Sequence, residues 1–114
     1  MNNLFANVDV GHLAITREPP VALEKLRGRV LHVHISDNNG KIHANYIIGK
    51  GVTCIPGYIK KLIEMGIDET CAQHGEVTVA SMELGEIGQE IKDPDEYVRE
   101  SLEYMEKNVP ELPK

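Results

Sequence analysis

Val30-Leu31-His32-Val33-His34-Ile35-Ser36 decides how this chain is read. Leu31, Val33 and Ile35 alternate with His32, His34 and Ser36, the period of two expected of a strand with one apolar and one polar face. Asp37-Asn38-Asn39-Gly40 follows at once and reads as turn chemistry. Two further runs have the same character. Residues 4–10 place Leu4, Ala6, Val8 and Val10 on one face and Phe5, Asn7 and Asp9 on the other. Residues 77–82 form a third strand in which Val77, Val79 and Ser81 share a face with Glu83, against Thr78, Ala80, Met82 and Leu84.

Helical signals separate these strands. Pro19-Pro20 opens a short helix that carries Val21, Leu23 and Leu26 and stops before Gly28. A second helix begins near Pro56, carries Ile59, Leu62 and Ile63, and ends at Gly66. The last has Asp93 as N-cap, Pro94 at the first helical position and Glu96 completing a capping box. Val98, Leu102, Met105 and Val109 then make one apolar stripe, and Pro110 ends it. A long Gly- and Asn-rich segment spans residues 37–53.

Alternation of strand and helix implies parallel strands joined by crossovers. Eight such units close a TIM barrel of about 250 residues, about 31 per unit. Three units in 114 residues keep that pace, and no linker divides the chain. The expected fold is therefore α/β: residues 1–114 as one domain, three βα units of a (β/α)8 barrel.

Composition narrows the function classes. At 41% hydrophobic and 26% charged the chain has an ordinary globular composition. A formal charge of -6, with Lys60-Lys61 the sole adjacent basic pair, disfavours a nucleic-acid partner. No apolar run approaches the roughly 20 residues of a membrane span. The N-terminus lacks a basic signal-like region, so a cytoplasmic protein is expected. Cys54 and Cys71 fit neither a CxxC motif nor a disulfide framework and are expected to be reduced thiols.

In a barrel the apolar face of each strand meets the helices and the other face turns inward. Asp9, His34 and Glu83 then point inward near the C-terminal ends of three successive strands, the rim where such barrels carry their catalytic groups. Two carboxylates and an imidazole suit a divalent metal: Mn²⁺, Mg²⁺, Co²⁺ or Zn²⁺. The bland alternative is that these are solvated side chains near loops. On the same reading Phe5, Val30, Val77 and Val79 belong to the inner face. Glu86 and Glu90 read as solvated, and His74 has no assigned role.

Asp9-Val10-Gly11-His12, His32-Val33-His34-Ile35-Ser36-Asp37-Asn38, Gly49-Lys50-Gly51 and Met82-Glu83-Leu84, in this order and spacing, resemble the xylose-isomerase-like TIM-barrel family. That family includes sugar and sugar-phosphate isomerases and epimerases and type IV apurinic endonucleases. The resemblance covers nearly the whole chain and corresponds to the C-terminal three βα units. It implies metal ligands at Asp9, His34 and Glu83, with Glu83 also catalytic, a substrate contact at His12, and a packed or supporting role for His32. A fourth ligand, a Glu at the end of the preceding strand, has no counterpart here. His43-Ala44-Asn45 stands where many members carry Asp-x-His, which weakens an endonuclease-like trinuclear site. Gly49-Lys50-Gly51 either cradles a phosphate or turns the chain. The turn is favoured because no helix N-terminus follows immediately.

The resemblance implies proton transfer on a ketose or sugar phosphate through an ene-diolate. A phosphodiester hydrolase and a non-catalytic truncated fragment are the alternatives. Three strands from a closed barrel leave open edges, so self-association or pairing with a complementary barrel fragment is expected.

Overall fold

The computed structural model describes residues 5–42, 46–82 and 94–109. Strands β1 (Ala6–Asp9), β2 (Val30–Ile35) and β3 (Ala80–Met82) form one parallel sheet in the order β1-β2-β3. Helix α1 (Val10–Ile15) and a 3-10 helix (Pro20–Leu26) join β1 to β2. Helices α2 (Ile55–Glu64) and α3 (Ile67–Gln73) join β2 to β3, and α4 (Pro94–Asn108) follows β3. This is a partial α/β barrel in which, among the described residues, β1 and β3 are the edge strands. No helix among the described residues is long and apolar enough to cross a membrane.

The apolar strand face lies under the helices, as the alternation requires. Val8, Val33 and Ile35 are buried with Ile55, Ile59 and Leu62 of α2 and Cys71 of α3. Each such aliphatic side chain contributes roughly 1.5–3 kcal/mol on burial. Helix α2 carries Pro56 in its first turn, and its buried residues Ile55, Tyr58, Ile59 and Leu62 follow helical spacing. Gly66, at φ +77°, ends α2 and starts α3 in a left-handed conformation that glycine adopts without a Cβ clash. Lys61 and Glu64 of α2 interlock with Glu24 and Arg27, clamping the 3-10 helix to α2.

Several expectations are corrected by tertiary context. β1 stops at Asp9 because the Asp9 carboxylate accepts the Gly11 amide at 3.0 Å and caps α1, a helix too short to reveal a period in the sequence. Helix α3 lies beyond Gly66, where the sequence signals no further helix, and His74 caps its C-terminal end. β3 begins at Ala80, so strand alternation does not govern Val77, which lines a cavity on the helical side.

Val30 is core, 3% exposed, although alternation with His32 places it on the inner face. The register supplies the reason: Ala6 pairs with Val30 but Asn7 pairs with His32. The extra residue, Leu31, is an irregularity that reverses the facing of everything before it.

The stripe on α4 is also rotated. Met105 and Val109 are buried as expected, but Val98 and Leu102 are 41% and 47% exposed. Tyr97 and Ser101 take the inner positions instead. Ser101 is there because its Oγ accepts the Ile48 amide at 3.0 Å. Leu102 and Met105, with Val33, Ile35, Leu62 and Ala80, line an apolar cavity of about 690 Å³. Both cysteines are free thiols, Cys54 exposed and Cys71 buried.

Candidate functional site

Three positions of the inner face align across the sheet. Asp9 of β1 pairs with His34 of β2, which pairs with Ser81 of β3. One row below, Asn7 pairs with His32. The strands are parallel, so these rows lie towards one common end of the sheet, with Asp9 the last residue of β1. The structure thus brings Asp9 and His34 together as neighbours on one face. Glu83 lies outside the described residues, as do Glu86, Glu90, Asp93, Pro110 and His43-Ala44-Asn45. Among the described residues no three His, Cys, Asp or Glu side chains form a group able to hold a metal.

Asp9 is held from two sides. Its Oδ1 accepts the Gly11 amide at 3.0 Å and the Ser36 hydroxyl at 2.9 Å. Its Oδ2 lies 3.6 Å from His12 Nε2, on the first turns of α1, where His12 is well exposed. The imidazoles of His32 and His34 meet edge to face, with centroids 4.8 Å apart and planes at 83°. Ser81 Oγ lies 3.5 Å from His32 Nε2. His32 therefore packs directly against His34. His74 is remote from this row, its ring edge-on to Phe5 at 4.4 Å.

Next to the row, the turn after β2 is a hub that the sequence reading does not single out. The carboxylate of Asp37, fully buried, accepts four backbone amides. Asn38 and Thr53 donate to Oδ1 at 2.9 and 3.0 Å, and Gly49 and Gly51 donate to Oδ2 at 2.9 and 3.0 Å. Gly49-Lys50-Gly51 thus does cradle an anion, but the anion is the protein's own Asp37. A Cβ on Gly51 would stand 2.2 Å from Asn38 O, and one on Gly49 would stand 2.3 Å from the Tyr104 ring. Burial and the nearby Asp37 charge raise the Tyr104 phenol above its ordinary pKa, burial being the larger cause. Asn38, also fully buried, donates from Nδ2 to Gly11 O at 2.9 Å. Ser36 and Asn38 therefore both reach back to the β1–α1 junction, while Asp37 holds the following loop. No local pattern announces this, because apart from the Asn38 amide these partners lie 12 to 27 residues away.

A scan of protein-family models finds no match. Over 109 residues, 95% of its length, the chain is 28% identical to fructoselysine 3-epimerase of Escherichia coli O157:H7, covering 36% of that protein. Over 115 aligned residues, 98% of its length, it is 31% identical to an uncharacterised protein of Methanocaldococcus jannaschii, again covering 36%. The crystal structure of a D-tagatose 3-epimerase-like protein superposes on 97% of the chain with a TM-score of 0.65 and 27% identity, and 38% of that structure is covered. The chain spans about a third of the length of the curated relatives it matches. With three parallel strands each followed by a helix, the chain is similar over nearly its whole length to about a third of fructoselysine 3-epimerase and of the D-tagatose 3-epimerase-like protein, in sequence and, for the latter, in fold.

Proposed function

We propose that this chain supplies part of a metal-dependent isomerase or epimerase site for a ketose or sugar phosphate. The observation that carries the reading is the Asp9–His34 pair, one carboxylate and one imidazole side by side on the inner face of a parallel sheet. That donor set fits a divalent ion of the Mn²⁺, Mg²⁺, Co²⁺ or Zn²⁺ group. Asp9 and His34 would hold the ion, and Glu83, which stands two residues beyond Ser81 in the sequence, would be a third ligand. When bound, such an ion stabilises negative charge developing on a ketose carbonyl oxygen as the neighbouring C–H proton leaves.

The chain's own groups divide the remaining work. Glu83 takes or returns that proton, and a second base on the opposite face of the sugar completes the exchange. His12, exposed beside Asp9, hydrogen-bonds the substrate. On this reading the second base and the rest of the barrel wall would come from outside the third of the relatives' length that this chain matches. The sheet edges at β1 and β3, the outer strands among the described residues, are where a complementary barrel portion or a second copy would pair.

The test is calorimetric titration with Mn²⁺ alongside sedimentation and a ketose epimerisation assay. Asp9→Asn and His34→Ala are each expected to abolish Mn²⁺ binding. Turnover is expected only in an assembled state. Unchanged affinity in both variants would remove the basis for this site.

A further inference from the structure

We propose that Ser36 is a positioning residue for Asp9 in the candidate site. The inference rests on the metal-dependent reading above and goes beyond the ligand set. Ser36 directly follows β2, two residues after His34, and is fully buried. Its hydroxyl donates to Asp9 Oδ1 at 2.9 Å, and the Gly11 amide donates to the same oxygen at 3.0 Å. Two donors converging on one carboxylate oxygen fix the rotation of the side chain about both of its torsions. Oδ1 is thereby turned into the β1–α1 junction, and Oδ2 is the oxygen on the His12 side, 3.6 Å from Nε2.

The hydroxyl is itself held in place. Asp37, the next residue, is locked by four backbone amides, and Asn38 is tied to Gly11 O at 2.9 Å. Gly11 completes the arrangement. A Cβ there would stand 2.0 Å from Ser36 Oγ, so the absence of a side chain at position 11 is what lets the hydroxyl reach Asp9. The geometry therefore links a buried serine and a glycine on different segments to the orientation of one carboxylate. Groups that orient metal-binding side chains in this way change metal affinity by roughly 10–100-fold when removed.

The experiment is Mn²⁺ titration calorimetry on the full chain, with urea unfolding followed in parallel. Wild type and Asp9→Asn come first: absence of binding in the wild type, or equal binding in Asp9→Asn, would overturn the metal reading and this proposal with it. Given binding that depends on Asp9, Ser36→Ala is expected to weaken affinity by about 10–100-fold. Ser36→Thr, which keeps the hydroxyl, is expected to hold affinity less than about tenfold below wild type, a rescue that a purely structural role would not produce. If Ser36→Ala does not fold, Ser36→Cys is read in its place, since its near-isosteric thiol is a weak donor and predicts a loss in the same direction. Wild-type affinity in a folded Ser36→Ala or Ser36→Cys chain would overturn the proposal while leaving the metal reading intact.

Discussion

Replacing Asp37 with alanine isolates what the buried carboxylate contributes. The substitution removes the acceptor of four amides, those of Asn38, Gly49, Gly51 and Thr53, all at 2.9 to 3.0 Å. Hydrogen bonds to a charged group are worth about 1.5–3 kcal/mol each, so four left unmade inside the fold would cost about 6–12 kcal/mol. The loop has a cheaper escape, which is to lift away and let water take the amides. What it then forfeits is the burial of Ile48, which is 1% exposed, and the Ile48 amide bond to Ser101 Oγ. Those are worth about 1.5–3 and 0.5–1.5 kcal/mol. The expected loss is therefore about 2–4.5 kcal/mol, limited by loop opening rather than by the sum of the bonds. Urea unfolding should show it as a fall in midpoint of roughly 1–3 M for an m-value of about 1.5 kcal/mol/M. Hydrogen exchange should accelerate at Gly49, Gly51 and Thr53. Asp37→Asn retains one acceptor oxygen and turns an NH₂ towards two donors, and should fall between wild type and alanine. A loss below about 0.5 kcal/mol, with those amides still protected, would refute the view that Asp37 organises this loop.

Three further outcomes are expected. Met105→Ala, at a position 5% exposed, should cost about 2–5 kcal/mol, whereas Leu102→Ala, 47% exposed, should cost about 1 kcal/mol or less, and equal losses in thermal unfolding would contradict the rotated face of α4. Arg27 and Lys61 together lower the Glu24 carboxyl from its ordinary value to about 2, the Arg27 hydrogen bond being the larger cause. Because the folded value is the depressed one, this contribution is present above about pH 4.5 and is lost as the pH falls towards 2. Glu24→Gln should flatten the acid limb of the stability curve in that window, an effect that 1 M salt diminishes because the network is exposed; an unchanged limb would count against it. Native thiol titration should modify Cys54 rapidly and Cys71 only on unfolding, and simultaneous reaction of both would contradict the burial of Cys71 beneath β2.

What the sequence by itself determined is local. Alternation in residues 31–36 and 6–9 settles which face of each strand meets the helices, and with it the inward placement of Asp9 and His34. Pro56 and Gly66 bracket α2, and Pro94 opens α4, because fixed φ and left-handed φ are properties of single residues. The tertiary structure alone decided the features whose partners are distant. Val30 faces the core because of a register shift against Ala6, which belongs to the pair of strands and to neither sequence run. Ser101 takes an inner position on α4 because its hydroxyl accepts an amide 53 residues away. Asp37 reads as an ordinary turn residue yet gathers amides 12 to 16 positions downstream, and Ser36 reads as the polar end of a strand yet holds a carboxylate 27 positions upstream. Periodicity and propensity act over a few residues. Hydrogen bonds that satisfy buried polar groups take whichever partner the packed chain brings within 3 Å, so residues 36–38 become a hub only once β1, β2 and the following loop have come together.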